Sequence, residues 1–252
     1  MIKVVILGAG NVASHLCKAF EDSKEVSVVQ VYNRNKNSLQ SFPPEINTTT
    51  CLLNIKDADI YIIAIADDAI KPFSKSLPFT NKLVVHTSGS KAMDKLSKTN
   101  RKGVFYPLQT FSKSQVVDFS EIPICLEAEN KDDLKLLQNL GNSISKNVQL
   151  INSEERSKLH LAAVFVNNFV NYLYQVGSDL LLEDSLSFDL LKPLIKETAN
   201  KIETLNPSKS QTGPAKRNDI KTIENHLHLL KDSPYKNLYQ KLTKAIQKKH
   251  NN

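Results

Sequence analysis

Met1-Ile2-Lys3-Val4-Val5-Ile6-Leu7-Gly8-Ala9-Gly10-Asn11-Val12-Ala13 is an apolar, strand-like run that breaks directly into a Gly-x-Gly-x-x-Ala turn. A helical pattern follows, with Val12, Leu16, Ala19 and Phe20 on one face. Strand, glycine turn and helix in this order form a phosphate cradle. Gly8 permits the tight turn, Gly10 lets the backbone approach a pyrophosphate, and small Ala13 lets the helix pack on the strand. The free N–H groups of Gly10, Asn11 and Val12 at the helix N-terminus then face the anion.

Outward from this turn, strand and helix signals alternate. Val26 to Tyr32, Ile60 to Ile65 and Leu83 to Val85 are short apolar runs separated by polar or helical stretches. Such runs belong to a parallel sheet covered on both faces. Gly103 to Leu108, Ile122 to Leu126 and Val148 to Ile151 continue the strand pattern, with an amphipathic helix over 132–145. The sheet is predicted to end near residue 151. Beyond it Ser153-Glu154-Glu155 opens a helix, and helices are expected over 154–182, 187–205, 217–231 and 234–249. The expected fold class is therefore α/β, a Rossmann-like, doubly wound and mostly parallel sheet (1–151) followed by an all-α C-terminal domain (152–252).

Composition narrows the function. The three cysteines, Cys17, Cys51 and Cys125, stand singly, so neither a zinc site nor a disulfide framework is indicated, and no metal is expected. The first apolar run is used as a strand, which argues against a secretory leader and for the cytoplasm. The apolar stretch from Leu159 to Leu182 is interrupted by Asn167, Asn168, Asn171 and Asp179 and reads as a buried helix rather than a membrane span. The formal charge of +7 is dispersed and accompanied by no nucleic-acid motif; it favours a small anionic ligand over nucleic acid.

The carboxyl ends of the strands carry the candidate site residues. After the second strand comes Asn33-Arg34-Asn35, where an NAD site places a carboxylate; Arg34 is suited to a 2′-phosphate, so NADP is favoured over NAD. After the next, Ala66-Asp67-Asp68 passes near the cofactor, with one aspartate expected to cap the following helix. His86-Thr87-Ser88-Gly89-Ser90 emerges from the same edge: Thr87, Ser88 and Gly89 neighbour the nicotinamide, and His86 is the first candidate for proton transfer, the alternative being a structural histidine in a hydroxyl-rich turn. Tyr106-Pro107-Leu108-Gln109-Thr110-Phe111 has the same placement. In the helical part, His160, Asn167 and Asn171 share a stripe, with Asn168 one position around; these either line a crevice or satisfy one another. Arg217, with Lys216 beside it, is positioned to hold a substrate anion.

These segments together resemble a family in which an N-terminal Rossmann-like domain is joined to a C-terminal helical domain of unknown function. The residues that carry the resemblance are the Gly8 to Ala13 turn, His86-Thr87-Ser88-Gly89-Ser90, Pro107 to Phe111, His160 with Asn167-Asn168, and Thr212 to Asp219. The resemblance implies the 6-phosphogluconate dehydrogenase-like superfamily, with the layout of pyrroline-5-carboxylate reductase and of deazaflavin-dependent NADP reductase. Asn33-Arg34 looks like the NADP-selecting pair of the pyrroline-5-carboxylate reductases. Hydroxyacid dehydrogenases of the superfamily place a lysine one helical turn before an asparagine; here Ala163 and Val164 stand in those positions. The function this implies is NADP-dependent hydride transfer to or from a small C=O or C=N substrate, with His86, Ser88, Asn168, His160 and Arg217 as its candidate residues. A non-catalytic NADP(H) sensor and a deazaflavin-linked NADP reductase are the alternatives. A homodimer formed through the helical domain is expected, since that domain has little room to bury its own apolar faces.

Overall fold

A computed structural model describes residues 1–112 and 115–250. Strands β1 (Ile2–Leu7), β2 (Val26–Tyr32), β3 (Thr48–Thr49), β4 (Ile60–Ile63), β5 (Leu83–His86), β6 (Arg101–Pro107), β7 (Ile124–Ala128) and β8 (Val148–Leu150) form one sheet in the order β3-β2-β1-β4-β5-β6-β7-β8. Pairing is parallel except between β6 and β7. The chain runs outward from β1 through β2 to β3, then returns to place β4 on the other side of β1. That reversal opens a crevice at the carboxyl ends of β1 and β4, where ligands of open α/β sheets bind.

Successive residues of β1 supply two cores. Val4 and Ile6 pack with Leu16 and Phe20 of α1 (Asn11–Glu21) on one face; Val5 and Leu7 pack with Tyr61, Ile63 and Ile70 on the other. The strand period of two explains the split. All four β1 residues are fully buried, as expected for a strand covered on both sides, and each contributes roughly 1.5–3 kcal/mol by burial. The remaining helices of this part are α2 (Lys36–Leu39), α3 (Asp67–Lys75), α4 (Lys131–Asn142) and α5 (Ser153–Ala163). Asn152 starts α5 with a reciprocal capping box to Glu155.

By compactness the chain divides into Met1–Asn168 and Phe169–Asn252. The first unit thus includes α5 as well as the sheet, whereas a boundary at 151 and 152 follows the end of the last strand. A π-turn over Val164–Phe169 interrupts what the sequence reads as one continuous helix over 154–182. The second unit contains α6 (Val170–Leu182), α7 (Lys192–Thr204), α8 (Pro207–Ser210), α9 (Pro214–Arg217), α10 (Ile220–Leu229) and α11 (Lys236–His250). The helix expected from residue 217 begins later, because Asn218 is left-handed (φ +53°) and the Asp219 side chain caps α10 by accepting from the Thr222 amide at 3.1 Å. Tyr235 donates to Asp179, and His226 shares a 2.8 Å hydrogen bond with Tyr239. Among the described residues, no helix is long and apolar enough to cross a membrane.

Candidate functional site

The two glycines of the opening turn differ in what requires them. Gly8 has φ +134°, and a Cβ on it would lie 2.1 Å from the Ala64 carbonyl oxygen at the end of β4. Its amide donates to the Tyr32 carbonyl at 2.8 Å, so the turn is locked between β2 and β4. Only glycine fits there. Gly10 has an ordinary φ of −84°, and a Cβ would meet nothing within 4 Å. It is the N-cap of α1 with no side-chain cap and no acid in the first turn, leaving the helix amides facing open space. Nothing in the protein demands a glycine at 10.

That space belongs to a cavity of about 810 Å³, within the usual range of about 300–1,000 Å³ for small-molecule sites. Gly8 to Val12, Asn33, Arg34, Ser38, Ala66 and Thr87 line it. Tyr32 stacks on Phe73 with ring centroids 5.7 Å apart, giving an apolar side wall. Arg34 is exposed, while Asn33 donates its side-chain amide to the Asn35 carbonyl at 3.1 Å. Asn11 donates to the Phe111 carbonyl at 2.8 Å, and His15 donates to the Ser112 carbonyl at 2.9 Å, fastening the segment after β6 across α1.

The 86–91 loop carries a correction. His86 is wholly buried, and its Nδ1 accepts from the Ser88 amide at 3.1 Å. Burial, reinforced by the nearby Arg156 guanidinium, pushes its pKa down to about 4, against a smaller opposing pull from the Ala92 backbone. A neutral, enclosed ring bonded through Nδ1 to its own loop favours the structural alternative for His86 over proton transfer to a substrate. The Ser88 hydroxyl likewise accepts from the amides of Ser90 (3.2 Å) and Lys91 (3.0 Å), holding the turn rather than facing a ligand. Neither aspartate caps α3: the N-cap is Ala66, while Asp67 accepts from Ser90 Oγ at 2.6 Å and Asp68 pairs with Lys91 at 2.8 Å.

Behind this loop lies a polar network that the sequence reading did not select. Arg156 of α5 is fully buried, pairs with Glu127 of β7, and donates to the Lys91 carbonyl at 2.7 Å and to Ser153 Oγ at 3.1 Å. Ser153 in turn accepts from the Met93 amide at 2.9 Å. One acid in the otherwise apolar run Ile124-Cys125-Leu126-Glu127-Ala128 was the available signal, since a charge entering a sheet needs a partner.

Four residues beyond Arg156, and hence on the same helix face, His160 shares a 3.1 Å hydrogen bond with Tyr106 at the end of β6. Burial raises the Tyr106 hydroxyl to about 12, so it stays a protonated donor at neutral pH. Gly89 is buried beneath this pair: a Cβ there would sit 2.6 Å from His160 Nδ1 and 2.7 Å from Tyr106 Cζ. Its missing side chain is thus explained by packing within the protein. Tyr106 and His160 border a second cavity, of about 370 Å³, which also touches Gln109, Thr110, Asn167 and Asn168. The two asparagines sit in the π-turn, a helix irregularity common at functional sites. Thr87 and Gly89 thus form a short bridge, the first lining the glycine-turn cavity and the second packed under the Tyr106–His160 pair. Arg217 is exposed in the second unit, at the end of α9.

Residues 3–89 match the family described as NADP oxidoreductase coenzyme F420-dependent, and residues 122–246 match a domain of unknown function, DUF2520. No curated protein matches the sequence. Among solved structures, a Bacteroides fragilis protein described as a "putative NADP oxidoreductase" is 39% identical over 98% of both chains, with a TM-score of 0.90. Protein TM1727 of Thermotoga maritima is 20% identical over 98% of both chains, TM-score 0.75. Pyrroline carboxylate reductase of Plasmodium falciparum, with NADP bound, is 16% identical over 98% of this chain and 100% of that one, TM-score 0.59. The last two share the fold. With residues 3–89 and 122–246 matching these two models and 39% identity along nearly its whole length to the Bacteroides protein, the chain belongs to that protein's family.

Proposed function

We propose that this protein is an NADP-dependent oxidoreductase acting on a small C=O or C=N substrate. The observation that carries the reading is Gly10, a glycine that neither backbone nor packing requires, standing before uncapped helix amides in a cavity of dinucleotide size. The helix amides at Gly10, Asn11 and Val12 would bind the pyrophosphate, and Arg34, helped by Ser38, the 2′-phosphate. Tyr32 and Phe73 offer an apolar wall to a flat ring. Thr87 lines the same cavity, two residues before Gly89, which packs under the Tyr106–His160 pair. The Bacteroides relative, described as a "putative NADP oxidoreductase", and the NADP-bound Plasmodium neighbour support this reading.

The cofactor, when bound, supplies or accepts the hydride. The chain's own part is to handle the proton. Tyr106 Oη is held neutral by burial, reaches the second cavity, and is hydrogen-bonded to His160, which can replace a proton given to a substrate oxygen or nitrogen. Asn167 or Asn168 would orient the substrate. The helical second unit exposes many large apolar side chains, which supports association of two copies through it.

Thermal shift with NADPH, NADP and NADH tests the reading. A ligand at a hundredfold excess over its Kd stabilises by about 2.7 kcal/mol, and NADPH should exceed NADH. No shift with any of the three overturns it.

A further inference from the structure

Resting on that reading, we infer that the part of the substrate held beside Tyr106 and His160 is uncharged and mostly apolar: a neutral ketone, aldehyde or imine rather than a carboxylate-bearing one. Among the described residues lining this cavity, Tyr106 and His160 are the only ionisable ones. The walls are Leu108, Leu159, Ala162, Ala163, Val164 and Val166, and the polar contacts come from amide and hydroxyl groups of Gln109, Thr110, Asn167 and Asn168. Amides and hydroxyls orient a carbonyl or imine but leave a carboxylate without a counter-charge as it loses water.

Within the same unit, the cations on α5 and in the 86–91 loop have acidic partners. Arg156, one helical turn before His160, is wholly buried and held by Glu127, Ser153 and the Lys91 carbonyl. Lys158 pairs with Glu154 at 2.6 Å, and Lys91 pairs with Asp68 at 2.8 Å. The expectation of an anionic substrate drew on the overall positive charge and on Arg217, neither of which is part of this cavity's lining. In the reductive direction the hydride from the reduced nicotinamide adds to the carbonyl or imine carbon, and the proton from Tyr106 Oη goes to its oxygen or nitrogen. The C=O or C=N bond is thereby reduced by two electrons as the nicotinamide is oxidised, and Tyr106 recovers its proton through His160.

The test uses matched pairs differing only in a carboxylate next to the reacting carbon, such as a cyclic imine or a methyl ketone with and without it. Turnover is followed with NADPH, and calorimetry of the NADP-saturated protein measures binding of the corresponding amines and alcohols. The neutral members should lead by at least tenfold in kcat/KM and in Kd. Val166→Arg, a change at an exposed wall position, should shift the ratio toward the carboxylates at least fivefold while leaving NADPH binding unchanged. Preference of the wild type for the carboxylates overturns the inference, as does an unmoved ratio in V166R. If NADPH stabilises the protein but neither class binds, this cavity is not the substrate site and the dinucleotide reading stands. If NADPH itself fails to bind, both fall.

Discussion

The sheet unit and the helical unit treat their apolar residues in opposite ways. In the first, β1, β4 and β5 are closed on both faces, and its large buried side chains include Phe20, Tyr61 and Phe105. In the second, Leu182, Leu190, Leu194, Ile202 and Leu229 are each more than half exposed, and only Ala215, Ile223, Leu230 and Thr243 are buried among the described residues. A unit that buries its own core derives its stability from within; one that leaves leucines in water depends on something that covers them. The two should therefore respond differently to mutation, and the responses can be ranked.

The largest effect belongs to Gly8→Ala. Its Cβ would overlap the Ala64 carbonyl at a positive φ, so the crevice between β1 and β4 cannot form; a loss above about 4 kcal/mol is expected in urea unfolding. A near-native unfolding midpoint would contradict the proposed locking of the turn. Arg156→Met comes next. It leaves the half-buried Glu127 carboxylate with Ser153 Oγ as a partner but without its counter-charge, at a cost of about 3 kcal/mol, and the double change with Glu127→Leu should recover most of it, because two matched apolar residues need no counter-charge. If the double variant is no better than the single one, the network's role is steric rather than electrostatic.

His86 sets a pH window. Its folded pKa of about 4 lies below the ordinary 6.5, so the unfolded chain takes up a proton first as pH falls. The contribution is fully present above 6.5 and declines between 6.5 and 4, by roughly 3 kcal/mol in all. Urea titrations of the wild type and His86→Asn at pH 7 and pH 5 check this: the wild type should lose more stability than the variant over that interval. Parallel losses would show that the ring does not carry the effect.

Gly10→Val separates binding from folding. Open space around Gly10 predicts little change in unfolding but at least a tenfold weaker NADPH affinity, about 1.4 kcal/mol. The smallest expected change is in the helical unit. Leu194→Glu replaces an exposed side chain and should alter the stability of an isolated copy by no more than about 0.5 kcal/mol. If a second copy covers this surface, the wild type's melting temperature should rise with protein concentration and that of the variant should not. A flat concentration dependence in both sinks the proposed association.

The amino-acid sequence alone was enough to place the glycine turn, the main strands and the helical second half. These depend on local chemistry: a glycine's φ, the strand's period of two and the helix's period near four. The same locality explains why Arg34 could be singled out, since it follows directly on β2. What tertiary structure decided was which side chains meet. His86 stood out in sequence for its residue type, yet the fold buries it and turns its ring to the Ser88 amide. Arg156 and Glu127 lie 29 positions apart and pair only because α5 packs beside β7. Tyr106 and His160, separated by 54 positions, come within hydrogen-bond distance only through the absence of a side chain at Gly89. Periodicity acts over a few residues along the chain, whereas desolvation and pairing depend on neighbours that only the folded chain supplies.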